Sequence, residues 1–160
     1  MKSLVVYYSF EGNCDLIATL IQEEIGADLL RLKPIKDLKS KGFTKYMWGG
    51  KQALMKQKPE LEKTDLVLEE YELIIIGTPV WAWNFSPAIN TFLTENEIKN
   101  KKILLFCCHG GGPGKTLQKM RDRLEGNDLL GEADFFEPLG KDKTEVIEKV
   151  RTLCEHIKMR

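Results

Sequence analysis

Short apolar segments alternate with amphipathic segments along the whole chain, and this alternation predicts an α/β fold with a parallel sheet. The apolar segments are nearly continuous and rich in β-branched residues, which is typical of strands covered on both faces. Five strands are predicted, at Leu4–Ser9, Ala27–Leu32, Leu73–Thr78, Lys102–Cys108 and, more weakly, within 130–138. Right-handed crossovers would then place helices on both faces of a doubly wound sheet.

Most of the segments between these strands are predicted to be helices, because their apolar residues recur at helical spacing. The stretch from Asp15 to Ile25 has its apolar residues three or four positions apart, and Gly26 marks its end. Further helices are predicted within 85–96, 114–126 and 144–157. No linker or repeat interrupts the pattern, so we expect one domain over residues 1–160.

The segment 33–66 is the least regular part of the chain. It is basic, and its notable residues are Phe43, Tyr46, Met47 and Trp48, followed by Gly49, Gly50 and a helical-looking stretch at 51–56. One interpretation is a helix that covers a face of the sheet. The other is that the aromatic residues reach the ligand edge or a partner subunit.

Composition argues against several classes of function, namely nucleic-acid, membrane and metal binding. Lys and Arg number 24 and Asp and Glu number 24, so the chain has no net field to attract nucleic acid or an anionic membrane. No apolar run is long enough to span a bilayer, and the first residues show no cleavage site, so we expect a cytoplasmic protein. The four cysteines lack zinc-site spacing, which favours reduced thiols and no metal.

In sheets of this kind, ligands bind beyond the carboxyl ends of the strands where the strand order reverses. The loop after the first strand is Ser9, Phe10, Glu11, Gly12, Asn13 and Cys14. It has no Lys or Arg, so an anion there would be held by backbone N–H groups at the start of the helix. The alternative is an ordinary turn in which Asn13 caps the helix and Gly12 supplies a permissive backbone.

The loop after the third strand is aromatic. It begins with Thr78, Pro79, Val80, Trp81, Ala82 and Trp83 and continues to Phe85. Such a cluster at an exposed turn favours a flat apolar ligand that stacks on a ring, although part of the group is expected to pack beneath the loop. Trp81 is the first choice as the stacking residue and Trp83 the second.

The loop after the fourth strand is rich in glycine. It begins with Cys108, His109, Gly110 and Gly111, and the glycines permit close approach of a ligand to the backbone. The stretch 109–116 is similar to a nucleotide-binding P-loop, but His109 stands where the first glycine is required. A P-loop enzyme is therefore a distant alternative.

Together the three loops resemble those of the flavodoxin-like family of FMN proteins, over nearly the whole chain and in the same order. Ser9, Gly12 and Asn13 match the family's phosphate-loop pattern, whereas Glu11 and Cys14 replace two threonines. The resemblance implies a five-stranded sheet of order 2-1-3-4-5. It also implies non-covalently bound FMN, with the first loop on the phosphate, an aromatic of the second loop over the ring, and the third loop on the ring's other side.

The resemblance further implies electron transfer to a redox partner protein or to a small-molecule acceptor, by a monomer or a homodimer. His109 beside the ring would be a proton donor or hydrogen-bond partner, or else would only bind loop backbone. The neutral charge, and a second loop without the family's flavin-side glycine, favour a reductase over a one-electron shuttle. The non-enzymatic alternative is a binding or regulatory module with weak or no FMN binding, which Glu11 and Cys14 support. Cys107 and Cys108 are interpreted as buried apolar residues rather than as redox partners of the flavin.

Overall fold

The computed structural model describes residues 1–36 and 58–159. The aromatic residues Phe43, Tyr46 and Trp48, with Met47 and the helical-looking stretch 51–56, lie outside the described residues. Neither interpretation of the 33–66 segment is therefore tested.

Five parallel strands form one sheet, and each overlaps a segment that the apolar pattern had marked. They are β1 (Ser3–Tyr7), β2 (Asp28–Arg31), β3 (Leu73–Pro79), β4 (Lys102–His109) and β5 (Asp128–Phe136). Their order is β2-β1-β3-β4-β5, which confirms the predicted flavodoxin-like topology. The order reverses between β1 and β3, so the loops after β1, β3 and β4 meet at the carboxyl edge of the sheet.

Four helices occupy the described part of the chain. They are α1 (Asn13–Ile25), α2 (Pro87–Glu95), α3 (Thr116–Asp122) and α4 (Lys143–Lys158). Helix α1 begins two residues earlier than its apolar pattern indicated, because polar residues in a first turn carry no periodic signal. None of the helices described here has the length and apolar character needed to cross a bilayer.

The sheet separates two apolar layers. Helices α1 and α4 pack on one face, through residues such as Ile17, Ile21 and Val150. Helices α2 and α3 pack on the other, through residues such as Ile89 and Met120. Both faces of the central strands are therefore buried, which is why those strands are continuously apolar in sequence.

Candidate functional site

The loops after β1, β3 and β4 enclose a cleft of about 250 Å³ at the carboxyl edge of the sheet. Most of the predicted site residues line it: Ser9, Phe10, Glu11, Asn13, Cys14, Pro79, Val80, Trp81, Cys108, His109 and Gly110. The predicted residues Gly12, Thr78, Ala82, Trp83 and Gly111 are not part of the lining. Glu137, which the sequence reasoning missed, is part of it.

The first loop presents the amino end of α1 to this cleft. Gly12 is the helix N-cap, with φ 102°, and no side chain caps the helix. The buried Ser9 hydroxyl accepts the N–H of Asp15 at 3.2 Å. The N–H groups of Asn13 and Cys14 have no acceptor among the described residues. Two free donors at the positive end of a helix dipole suit an anion.

Asn13 does not cap α1, contrary to the alternative drawn from the sequence. It is the first residue of the helix, and its side-chain oxygen accepts the N–H of Leu139 at 3.1 Å. The side chain therefore ties the first loop to the turn Pro138–Gly140 that follows β5. Sequence spacing could not show this contact, because its partners are 126 positions apart.

Arg31, Tyr7 and Asp15 form a group of polar contacts, here called the polar brace, that stabilises the first loop without lining the cleft. The sequence alone did not predict it. Arg31 at the end of β2 donates to the Ser9 carbonyl at 3.0 Å and lies 3.6 Å from the Asp15 carboxylate. Tyr7 donates to the same carboxylate at 2.6 Å. Burial, followed by this hydrogen bond, raises the pKa of the Tyr7 phenol well above its usual range. The brace fixes the loop backbone and places a guanidinium near the amino end of α1.

The second loop is anchored by Thr78 and by the third loop. The buried Thr78 hydroxyl donates to the Pro79 carbonyl and accepts the N–H of Ser86, both at 2.9 Å. The Val80 N–H donates to the Cys108 carbonyl at 2.9 Å. Thr78 thus shapes the loop from within the core, which explains why it does not line the cleft.

The two tryptophans of the second loop have different environments. Trp81 is 6% exposed and packs edge-on against Tyr8 and Phe10, with ring centroids 5.5 and 6.1 Å apart. It forms a wall of the cleft between the first and second loops. Trp83 is 61% exposed and is not part of the lining. The aromatic loop is therefore partly core, as the sequence analysis allowed, and Trp81 is the tryptophan placed to meet a ligand.

Trp83 sits at the tip of a tight turn between Trp81 and Asn84, whose backbones exchange two hydrogen bonds. The turn residues Ala82 and Trp83 have φ of 50° and 65°. A left-handed conformation costs a non-glycine residue about 1–2 kcal/mol, so the turn is strained at two adjacent positions. The indole lies over Gly114, where an added Cβ would be 3.0 Å from the ring.

His109 at the end of β4 has both ring nitrogens engaged by protein groups. Its Nδ1 accepts the N–H of Gly112 at 2.9 Å, and its Nε2 lies 2.6 Å from a carboxylate oxygen of Asp134. Because Nδ1 accepts, the ring proton is on Nε2 and is donated to Asp134. The contacts therefore match the interpretation in which His109 binds loop backbone. Direct proton donation into the cleft would require one of these bonds to break.

Two carboxylates line the cleft, and no Lys or Arg of the described residues does. Glu11 is exposed at its mouth. Glu137 follows β5 in a left-handed conformation, with φ 38°, and donates its N–H to the His109 carbonyl at 2.8 Å. Only the pairing of β4 with β5 brings Glu137 here, and no local sequence signal predicts it.

The P-loop alternative is not favoured by these positions. Thr116, where a P-loop has its metal-binding hydroxyl, is completely buried. Its hydroxyl has no hydrogen-bond partner in the described part of the chain, and it is not offered to a ligand in the cleft.

Comparison with known proteins identifies solved structures of the same fold and a protein family that matches the sequence. The flavodoxin family matches residues 2–132. A candidate flavoprotein from Bacteroides uniformis ATCC 8492 superposes with a TM-score of 0.80 at 21% identity, covering 94% of this chain and 97% of that one. A flavoprotein in complex with FMN from Lactobacillus acidophilus NCFM gives 0.66 at 24% identity, covering 83% and 92%.

The two-electron reduced flavodoxin of Megasphaera elsdenii gives a TM-score of 0.56 at 17% identity, covering 94% of this chain and 98% of that one. No curated protein sequence matches the chain. The structural likenesses establish the fold, and the family match, which spans most of the sequence, establishes the relationship. The chain belongs to the flavodoxin family.

Proposed function

We propose that the chain binds FMN in the cleft, with the phosphate at the amino end of α1 and the ring between the second and third loops. The observation that carries this proposal is the pair of free N–H groups of Asn13 and Cys14, which open on the same cleft as Trp81. A phosphate needs the donors, and a flat aromatic ring needs the apolar wall. One cleft offers both.

The residues present fit this cofactor. Gly12 has no side chain to cover the helix end, and Arg31 supports the loop from behind without entering the cleft. Val80 and Trp81 supply apolar surface, and Gly110 of the third loop also lines the cleft. When bound, FMN supplies the electron transfer, and the protein sets its position and access.

We infer that the acceptor is a small planar molecule that meets the ring at the mouth of the cleft. Exposed apolar side chains border the carboxyl edge of the sheet at Trp83, Phe136 and Leu139. The neutral net charge gives no general attraction to a charged partner protein. We therefore favour two-electron reduction of a small acceptor over electron shuttling, in the cytoplasm, by a monomer or homodimer.

A second candidate is a regulatory module that binds FMN weakly. The observation in its favour is the pair of carboxylates, Glu11 and Glu137, in a cleft whose described lining has no cationic side chain. A phosphate dianion near uncompensated carboxylates is disfavoured. The backbone donors and the guanidinium of Arg31 act in the opposite direction, which is why we place this function second.

The distinguishing experiment begins with the absorbance spectrum of the purified protein, before and after incubation with FMN and gel filtration. The redox proposal predicts retained flavin that NADH or NADPH bleaches anaerobically and that a simple quinone reoxidises. A protein that retains no flavin supports the module. If the reduced flavin is reoxidised by a one-electron acceptor but not by a quinone, the result favours the one-electron shuttle.

A further inference from the structure

We propose that Cys14 and Cys108 form a redox-active dithiol that closes reversibly to a disulfide beside the predicted flavin position. The two residues are 94 positions apart and belong to different loops. Cys14 is the second residue of α1, and Cys108 is the penultimate residue of β4. Both line the cleft.

The two thiols are neighbours. Their side chains belong to one apolar cluster and line the same cleft, and the Cys108 thiol is close enough to raise the pKa of the Cys14 thiol. Closing the pair to an S–S bond of about 2.05 Å requires a change of side-chain rotamer and an approach of the two backbones. The rigid attachment of Cys108 is shown by its strand pairing with Pro79 and Phe135, so the first turn of α1 is the part that would adjust.

The two thiols are almost completely buried, and the cleft is where an oxidant could approach them. Cys14 is 1% exposed and Cys108 is 4% exposed, and the cleft is the surface that both share. Burial, followed by the contact with Cys108, raises the pKa of the Cys14 thiol well above its usual range. Because the thiolate is the reactive form, oxidation should be slow at neutral pH and faster as the pH rises.

The electron balance is simple. A two-electron oxidant takes one hydrogen from each thiol, two S–H bonds break, and one S–S bond forms. The oxidant we name is oxidised flavin, which would become reduced flavin by accepting the two electrons and two protons. The reverse reaction would return them, so that the pair stores one further electron pair beside the cofactor. This transfer rests on the proposed FMN binding, whereas formation of the disulfide does not.

The chain contains two matched controls. Cys107 is fully buried next to Cys108 but does not line the cleft, and burial raises the pKa of its thiol. Cys154 on α4 is 3% exposed and also lies away from the cleft. Burial raises the pKa of its thiol to about 11. Both should stay reduced under conditions that oxidise the cleft pair.

The first test treats flavin-free protein with diamide, whose N=N bond takes up the two hydrogens, and maps the peptides by mass spectrometry without reduction. We expect one linkage, between the peptides of Cys14 and Cys108, that dithiothreitol removes. Cys107→Ala and Cys154→Ala should keep it, and Cys14→Ala should abolish it. A disulfide at Cys107 or Cys154, or none at all, would overturn the proposal. Cys107 and Cys108 share one peptide, so fragmentation of the linked peptides between these two residues identifies the bonded cysteine in the wild type even if a variant fails to fold.

The second test titrates oxidised, FMN-loaded protein anaerobically with dithionite and counts electron equivalents. We expect four electrons per flavin in the disulfide form of the wild type and two in Cys108→Ala. Two electrons per flavin in both proteins would refute electron exchange between the cysteine pair and the flavin. A disulfide that forms in a protein unable to bind FMN would instead refute the proposed function and leave the disulfide standing.

Discussion

Gly12 joins the first loop to α1, and its replacement by alanine disturbs the predicted phosphate site without adding charge or a clash. The added Cβ would lie 3.4 Å from the nearest atom, Cδ1 of Leu139, which is ordinary contact. The cost comes from the backbone, whose φ of 102° is unfavourable for alanine by about 1–2 kcal/mol. The loop can relieve this strain by rotating, and rotation moves the N–H groups of Asn13 and Cys14.

FMN binding would then have to restore the strained backbone. If the whole 1–2 kcal/mol is transferred to binding, the Kd for FMN rises about 5- to 30-fold. Riboflavin lacks the phosphate, so its affinity should change little. The assay is calorimetric titration of flavin-free wild type and Gly12→Ala with both flavins.

Gly26 supplies the matched control at the other end of the same helix. It is also left-handed, with φ 70°, and an added Cβ there has no neighbour within 4 Å. Gly26→Ala should therefore lower the melting temperature of the flavin-free protein more than Gly12→Ala, whose strain is relieved by rotation until FMN binds, and it should leave both flavin affinities unchanged. The reasoning is refuted if Gly12→Ala binds FMN as tightly as the wild type.

Further substitutions test three separate features. Glu11→Gln removes a negative charge at the mouth of the cleft and should tighten FMN severalfold, but not riboflavin, in the same titration. Gly77→Ala puts a Cβ 2.0 Å from the Phe106 ring and should cost at least about 1–3 kcal/mol in urea unfolding, whereas Gly111→Ala, with open space around it, should cost little. Tyr7→Phe removes a phenol whose pKa is raised by folding. The wild type should therefore be more stable than the variant below about pH 10, and this difference should shrink above that pH. Urea unfolding of both proteins over this pH range measures it.

The fold could be predicted because its signals are local. Strands such as β3 and β4 are continuous apolar runs, and each is followed by a separate stretch of helical periodicity. Order and handedness then follow from the crossover rule and from the family resemblance. The start of α1 and the bounds of β5 were less accurate, since the polar residues there carry no periodic signal.

The site was predictable only where residues lie within the three loops. Arg31 and Glu137 come from other parts of the chain, and strand pairing brings Arg31 to the first loop and Glu137 to the cleft. Trp81 lines the cleft, and its stacking on a ligand stays a prediction. Its nearly complete burial against Tyr8 depends on tertiary packing, which loop composition does not show.

The affinity of flavin-free protein for FMN relative to riboflavin tests the central claim most directly. The two ligands share the ring and differ in the phosphate, which the N–H groups of Asn13 and Cys14 are predicted to bind. Two hydrogen bonds to a charged group contribute roughly 1.5 kcal/mol each at the low end, so FMN should bind at least about a hundredfold more tightly. Equal affinities for the two flavins would contradict a phosphate site at the amino end of α1.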